Sequence, residues 1–237
     1  MICAKMSEEG GDELMKTLHL YVVRHGKTYF NRYNKLQGWG NSPLVESGIK
    51  DAYQAGHKLS QVHFKAAYCS DTTRAMDTAK IILDENKNNR DISLITDAKF
   101  REEFYGSFEG ANMDVAWTSA GAPVGLRTYA EIVDQYGVDK TKDLLKDADP
   151  WHDAENSEEY WQRVLAGLKR ILTNPVLDDG DNVLLISHGN TLISLADRFG
   201  EGKIAVHERP ANGSISQMEL NKDGLSIITY NNEPVRD

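Results

Sequence analysis

Short apolar runs alternate along the chain with segments in which apolar residues recur every three or four positions. The short runs predict strands at residues 17–23, 64–69, 92–95 and 183–187. The helical spacing predicts helices at residues 49–59, from Ser70 or Asp71 to about 85, from Ser157 to about 172, and at 190–198. This alternation predicts a three-layer α/β/α fold, with a mostly parallel central sheet and helices on both faces.

Three segments refine this prediction. The run VLLIS at 183–187 is almost entirely apolar, which is typical of a central parallel strand. Glycines and prolines break residues 111–156 into short pieces, some of them helical, and this pattern predicts a small inserted cap region. Residues 214–220 and 225–230 flank the turn sequence NKDG, which predicts a closing hairpin.

The length and charge of the chain limit the class of protein. At 237 residues we expect one domain over 16–237 and a mobile tail over 1–15. The net charge of −9 argues against partners such as nucleic acid or an anionic membrane, although a local positive pocket for a small anion is compatible with it. We find no apolar run of the ~20 residues that a membrane helix needs.

The chain has two cysteines, Cys3 and Cys69. Cys3 falls in the predicted tail and Cys69 lies among apolar residues, so a disulfide between them is not expected. This composition favours a reducing, cytoplasmic location, with Cys69 as a small buried apolar side chain.

Candidate chemistry follows three of the predicted strands. In open α/β sheets, ligands bind beyond the carboxyl ends of the strands. The residues at these ends are Arg24-His25-Gly26, Ser70-Asp71 with Arg74, and His188-Gly189-Asn190. Arginine forks match phosphate oxygens, and the free N–H groups of a helix N-terminus favour an anion. These groups together predict a site for one dianionic tetrahedral group.

Two other interpretations of these residues fail on spacing. Gly26-Lys27-Thr28 resembles the end of a nucleotide P-loop, but the glycine required five positions earlier is replaced by Tyr21. A zinc site is not expected, because neither histidine has a carboxylate at ligand spacing. The sequence therefore predicts no metal and no nucleotide cofactor.

Five blocks between about 17 and 190 resemble the histidine phosphatase superfamily, also called the phosphoglycerate mutase-like family. The first residues, Arg24-His25-Gly26, are a weak signal alone, but all five blocks in the family's order are a strong one. The blocks are Arg24-His25-Gly26-Lys27-Thr28 with Asn31, Gln37-Gly38-Trp39 with Ser42-Pro43-Leu44, Ser70-Asp71-Thr72-Thr73-Arg74-Ala75 with Thr78-Ala79, Arg101-Glu102 with Tyr105-Gly106 and Glu109-Gly110, and Ser187-His188-Gly189.

The resemblance implies a phosphohistidine mechanism. His25 would be the nucleophile, Arg24 and Arg74 the phosphate clamp, and His188 a second catalytic histidine that donates to a phosphate oxygen. Glu102 would be the general acid. The non-catalytic alternatives are a structural role for His25, surface ion pairs for Arg24 and Arg74, and a helix-capping role for His188.

Further assignments are weaker. Glu103 competes with Glu102 for the role of acid, and the position four residues before Gly106 favours Glu102. Asn31, Gly189 and Asn190 are additional phosphate-binding candidates. Thr28, Gln37, Gly38 and Trp39 are weak substrate-binding candidates. In this family the insertion at 111–156 would cover the pocket and select the substrate.

The resemblance leaves the reaction open between hydrolysis and phosphoryl transfer. Mutases of this family typically carry arginine, histidine, tyrosine and glycine after the acid, whereas this chain has Glu103-Phe104-Tyr105-Gly106. We therefore expect a metal-independent phosphatase, of the family's phosphatase branch, that acts on a small anionic phosphate ester. A phosphoglycerate mutase activity and a non-catalytic phosphate-binding regulatory module are the alternatives.

Overall fold

One mixed sheet organises the computed structural model, which describes residues 16–88 and 92–235. The predicted tail at 1–15 lies outside these residues. Within them the sheet has seven strands in the order β3-β2-β4-β1-β5-β6-β7. The strands are β1 (Leu18–Arg24), β2 (Phe64–Cys69), β3 (Leu94–Thr96), β4 (Asn182–Ser187), β5 (Ile215–Asn221), β6 (Gly224–Tyr230) and β7 (Glu233–Pro234).

Eight α-helices connect or flank these strands in the described part of the chain. They are α1 (Tyr29–Arg32), α2 (Glu46–Leu59), α3 (Thr73–Glu85), α4 (Met113–Gly121), α5 (Tyr129–Tyr136), α6 (Val138–Ala148), α7 (Ser157–Leu172) and α8 (Gly189–Phe199). No helix among the described residues is long and apolar enough to cross a lipid bilayer.

The centre of the sheet is parallel, as predicted. Strand β4 lies between β2 and β1 and runs parallel to both, and β3 runs parallel to β2. Strands β5 and β6 pair as the predicted antiparallel hairpin, and β5 joins the sheet antiparallel to β1. The carboxyl ends of β1, β2 and β4 therefore lie side by side at one edge of the sheet.

Helices cover both faces because alternate strand residues point to opposite sides. Leu20 and Leu185 pack against α7 and α8 on one face, in a cluster that includes Ile171 and Leu192. Val23, Ala67 and Ile186 pack against α2 and α3 on the other. Cys69 is free and fully buried in this second cluster, as expected from its apolar neighbours. Each fully buried aliphatic side chain contributes about 1.5–3 kcal/mol to folding.

Two predicted helix caps were wrong by one or two residues. Asn156, rather than Ser157, caps α7, because its side chain accepts the N–H of Glu159 while the Glu159 carboxylate accepts the N–H of Asn156. Thr72 takes the cap position of α3, for which Ser70 or Asp71 was predicted. The loop that follows β1 contains the short helix α1.

The segment 111–156 forms α4, α5 and α6 around its own apolar cluster. Trp117, Ile132 and Leu145 are buried there together with Leu36 and Tyr105, which belong to the loops beside the strand ends. The segment is therefore packed against the loops that follow β1 and β3.

Candidate active site

Two histidines meet where the parallel strands end. His25 follows β1 and His188 follows β4, and their ring centroids are 5.2 Å apart. The backbone N–H of His25 donates to the carbonyl of Ser187 at 3.0 Å. Strand pairing thus brings together two residues that are 163 positions apart, as the sequence predicted.

His25 is held as a neutral imidazole with one nitrogen free. Its Nδ1 lies 2.8 Å from the carbonyl oxygen of Gly26. A carbonyl only accepts, so Nδ1 carries the proton and Nε2 has a lone pair. Burial lowers the pKa of His25 well below its usual value, and the charges of Arg74 and Arg24 lower it further. The ring lines a cavity of about 300 Å³.

Arg24 brings a positive charge into this cavity. It is the last residue of β1, it is buried, and its Nη1 donates to the carbonyl of Pro210. Its Nε has no hydrogen-bond partner among the described residues. Burial, followed by repulsion from Arg209, lowers the pKa of Arg24 to about 10, so the group stays charged at neutral pH.

Arg74 supplies a second charge from behind the histidines. It lies in the first turn of α3, is completely buried and donates to the carbonyls of Gly38 at 2.7 Å and Gly40 at 3.0 Å. Its Nη2 lies 3.2 Å from Nδ1 of His188. Burial lowers the pKa of Arg74 to about 10. Arg74 does not itself line the cavity, which Arg24 does.

His188 is engaged through both ring nitrogens. Arginine can only donate, so Nδ1 of His188 accepts from Arg74, and Nε2 donates to the hydroxyl of Ser70 at 2.9 Å. Burial, reinforced by Arg74, lowers the pKa of His188 well below its usual value. The residues predicted to cap α3 have other partners: Ser70 binds His188, and Asp71 pairs with both Nε and Nη2 of Arg101.

Glu102 lines the cavity and covers the N-terminus of α8. Its carboxylate accepts the N–H groups of Asn190 at 2.8 Å and Thr191 at 2.9 Å, the Thr191 hydroxyl at 2.9 Å and the N–H of Glu103 at 3.1 Å. The sequence predicted that these helix N–H groups would be free for a substrate anion. Two of them instead bind the protein's own carboxylate, which the helix dipole also favours.

Glu103 does not line the cavity. It is fully buried, and its Oε2 accepts from the Asn190 amide at 3.3 Å, while Oε1 has no partner among the described residues. Burial raises the pKa of Glu103 to about 8, against the opposing effect of the Lys142 charge. The position in the cavity therefore distinguishes Glu102 from Glu103, which the sequence motif alone left ambiguous.

Only some of the weaker candidates reach the cavity. Asn31, Gln37 and Gly189 line it. The buried Asn190 side chain binds the Tyr105 hydroxyl at 2.9 Å and accepts from Arg209, and it does not line the cavity.

Thr28, Gly38 and Trp39 lie in the wall behind the lining residues. Thr28 caps α1 and donates to the Gln37 side chain at 2.6 Å. The N–H groups of Gly38 and Trp39 donate to the Glu109 carboxylate, and the Trp39 ring stacks on Phe104. These contacts hold the loop after β1 in place, so a supporting role describes these three residues better than substrate contact.

Sequence reasoning missed several lining residues, among them three cations. These are Lys27, Lys35 and Arg209, together with Asn34, Leu36, Tyr105, Met113 and Asn212. Lys27 and Lys35 lie in the loop that follows β1, close to the motif residues in sequence. Their charge there could have identified them as anion-binding candidates. Arg209 and Asn212 follow α8 in a segment whose sequence has no pattern that relates it to the strand ends. Met113 is the one residue of 111–156 that lines the cavity.

The described residues contain no group of three or more His, Cys, Asp or Glu side chains that could hold a metal ion. The cavity presents the unprotonated Nε2 of His25, the guanidinium groups of Arg24 and Arg209, and the carboxyl group of Glu102 to an anionic ligand.

Comparisons with known proteins agree with this geometry. The model of the histidine phosphatase superfamily (branch 1) matches residues 20–233. The chain is 33% identical to a 2,3-bisphosphoglycerate-dependent phosphoglycerate mutase of Bradyrhizobium sp. over 74% of this chain and 78% of that protein. It is 43% identical to the fructose-2,6-bisphosphatase TIGAR of Xenopus tropicalis, over 40% of this chain and 35% of that protein.

A solved structure extends the likeness to the whole fold. The crystal structure of a phosphoglycerate mutase from Bacillus anthracis superposes with a TM-score of 0.84 at 30% identity, covering 93% of this chain and 95% of that one. Mutases and a phosphatase thus both appear among the similar proteins, and the family match spans nearly all of the described residues. The chain belongs to the histidine phosphatase superfamily.

Proposed function

We propose that this protein is a phosphatase that hydrolyses a small anionic phosphate monoester through a phosphohistidine on His25. The observation that carries the proposal is the hydrogen bond from Nδ1 of His25 to the Gly26 carbonyl, which leaves an unprotonated Nε2 in a cavity beside Arg24 and Glu102. An imidazole lone pair between a guanidinium and a carboxyl group suits attack on a phosphoryl group.

In the first step, Nε2 attacks phosphorus and the P–O bond to the leaving group breaks. The leaving oxygen takes a proton from the carboxyl group of Glu102. Arg24 in the cavity, with Arg74 behind the histidines, balances the charge on the equatorial oxygens. In the second step, water attacks the phosphohistidine, gives its proton back to Glu102, and releases inorganic phosphate as the N–P bond breaks.

Glu102 must bind a proton before the first step. Its carboxylate oxygens accept four hydrogen bonds, all from N–H or O–H donors. A bound phosphate dianion nearby would oppose the carboxylate charge and favour the protonated form. Loading of the acid would therefore be coupled to binding of the substrate.

The role of His188 follows similar reasoning. Its Nδ1 accepts from Arg74, so this nitrogen has no proton to give. His188 does not line the cavity, but its ring lies 5.2 Å from that of His25. A phosphate dianion at His25 would favour the imidazolium of His188, which would then donate to a phosphate oxygen. We infer that binding of the dianion also recruits His188.

The direct test is phosphate release from a panel of phosphomonoesters without added metal, with His25→Ala beside the wild type. Trapping with a ³²P-labelled ester should leave label on the wild-type chain that survives alkali and is lost in acid, as expected for a phosphoramidate on histidine. Release that persists in His25→Ala would contradict the mechanism.

A mutase is the second candidate, because a relative that covers 74% of this chain and a solved structure that covers 93% of it carry that name. Against it stands the segment after the acid, where the buried Glu103 and the half-buried Phe104 occupy the positions of the arginine and histidine expected of a mutase. Incubation with 3-phosphoglycerate, primed with 2,3-bisphosphoglycerate, separates the two: isomerisation faster than phosphate release would make the protein a mutase.

A further inference from the structure

The cavity contains more positive charge than one phosphate group requires. Arg24, Lys27, Lys35 and Arg209 line it, and Glu102 is the one carboxylate among its lining residues. Within the described part of the chain, no ion pair includes any of these four cations. Glu102 attracts Arg24, and Asp51 interacts with Lys27 and Arg24, but beyond ion-pair distance, so the protein compensates these charges only in part.

Arg209 is held in place by groups that leave its charge intact. Its Nε donates to the Asn190 side-chain oxygen at 2.9 Å, its Nη1 contacts the sulfur of Met113 at 2.7 Å, and its guanidinium lies 5.7 Å from the centre of the Tyr129 ring. An amide oxygen, a thioether and an aromatic ring orient a guanidinium without cancelling it. The half-buried fork of Arg209 is thus fixed at the cavity wall.

Arg209 also lies close to Arg24. A Cβ added to Gly189 would come within 3.0 Å of Cδ of Arg209 and 3.2 Å of Nη2 of Arg24, so both arginine side chains lie against this glycine. The positive charge of Arg209 lowers the pKa of Arg24, after the larger effect of burial. Two like charges this close cost free energy, which an anion between or beside them would recover.

One bound phosphate group would leave part of the positive charge of the cavity unbalanced. A phosphate dianion bound at His25 would balance Arg24 and Arg74. Once Glu102 is protonated, as the proposed first step requires, the lining cations Lys27, Lys35 and Arg209 remain as surplus positive charge in a cavity of about 300 Å³. That volume is at the lower end for small-molecule sites, so the surplus lies close to the first phosphate.

We propose that Arg209, with Lys27 and Lys35, forms a second anion subsite in the same cavity, and that the substrate carries a second anionic group, a phosphate or carboxylate, beside the phosphoryl group that is transferred. This inference rests on the proposed function, because the first subsite is the one at His25. Arg209 is the main determinant, since it is half-buried and presents a fixed fork of donors. The exposed Lys27 contributes less, because solvent screens its charge.

The experiment compares two esters that differ by one phosphate group, propane-1,3-diyl bisphosphate and propyl phosphate. The bisphosphate has two equivalent ends, which alone gives a factor of about two. We expect the wild type to favour the bisphosphate at least about tenfold in kcat/KM, because a charge-assisted arginine contact is worth about that much or more. The ratio should fall about tenfold in Arg209→Gln, less in Lys27→Gln, and recover in part in Arg209→Lys.

Arg32→Gln is the matched control. It removes the same charge from α1, where Arg32 is exposed and stacks on Tyr29 outside the cavity lining, and it should leave the ratio unchanged. Thermal unfolding of each variant checks that it folds. Lys27→Gln changes an exposed side chain, so it keeps the proposal testable even if Arg209→Gln does not fold.

Three results would overturn the second subsite: a wild-type ratio of about two, an equal loss on both esters in Arg209→Gln, or the same change in Arg32→Gln. Dissociation constants of both esters, measured by calorimetry, decide the same question if neither is turned over. In that case the hydrolytic function fails, while a bisphosphate preference that depends on Arg209 would still establish the subsite.

Discussion

The edge of the parallel strands and the inserted segment 111–156 contribute unequally to the cavity. The strand ends and the loops after them supply His25, Arg24, Glu102, Lys27 and Lys35, and the loop after α8 supplies Arg209, whereas the segment supplies Met113. The sheet fixes backbone positions through many ladder hydrogen bonds, so side chains at its edge are placed reproducibly. The inserted helices instead have a core of their own and act on the cavity through packing.

Glu102 and Glu103 lie at the boundary between the two regions. They are adjacent, yet Glu102 accepts hydrogen bonds from the N-terminus of α8. Glu103 is instead buried, which raises its pKa, and the charge of Lys142 in α6 opposes that rise. One carboxyl group belongs to the strand-end site and the other to the contact with the inserted segment. Substitutions at the strand ends should therefore affect catalysis most, and substitutions at the contact with the inserted segment should affect stability most.

The largest effect is expected at the strand end itself. His25→Ala should reduce kcat by at least roughly 10⁴-fold, because no other described group in the cavity has a comparable free lone pair. Phosphate release measured with a good leaving group checks this. His19→Ala, on the outer part of β1, is the control and should retain activity; comparable rates for the two variants would remove His25 from the mechanism.

Glu102→Gln should come next, with a loss of roughly 10²–10⁴-fold that depends on the leaving group. Alkyl phosphates need a proton on the departing oxygen, whereas nitrophenyl phosphate needs it far less. The ratio of kcat/KM for the two esters measures this. Equal slowing of both would show that Glu102 only supports α8.

Glu103→Gln should change stability and its pH dependence more than it changes activity. The carboxyl is protonated in the folded chain up to about pH 8 and ionised in the unfolded chain above about pH 4.5, so the folded state binds more protons between these values. Wild-type stability should therefore fall as pH rises through this window, by up to roughly 1.4 kcal/mol per pH unit from this group.

The glutamine variant lacks this proton linkage, so its stability relative to the wild type should increase from pH 5 to pH 8 in denaturant titrations. Glu158→Gln, which alters an exposed carboxylate on α7, is the control and should show no such trend. A constant difference between Glu103→Gln and the wild type across this range would mean that Glu103 is ionised in the folded protein.

The smallest effect is expected from a helix cap outside the site. Asn156→Ala should reduce the free energy of unfolding by about 1 kcal/mol, because it removes the side-chain acceptor for the Glu159 N–H at the start of α7. Ser157→Ala should cost less, since Ser157 is the first helical residue rather than the cap. Chemical denaturation measures both, and kcat should not change in either variant.

The sequence was sufficient for the parts of this protein that depend on local patterns. Apolar runs located the central strands, and VLLIS identified β4 as central and parallel. The motif residues at the strand ends were found because topology brings carboxyl ends of parallel strands together. Boundaries and caps were less certain, because Asn156 and Ser157 are both good caps and only the hydrogen bonds of α7 distinguish them.

Only the tertiary structure decided which of the charged side chains line the cavity and which bind other groups of the protein. The carboxylate of Glu102 occupies the N–H groups of α8, Arg74 lies behind the histidines, and Arg209 reaches the cavity from a loop that follows α8. Each outcome depends on side chains from distant positions competing for the same donors and the same space. Local sequence determined which chemical groups the chain has and on which strand ends they lie, whereas packing determined which of those groups face the ligand, because burial and hydrogen-bond partners are properties of the folded chain.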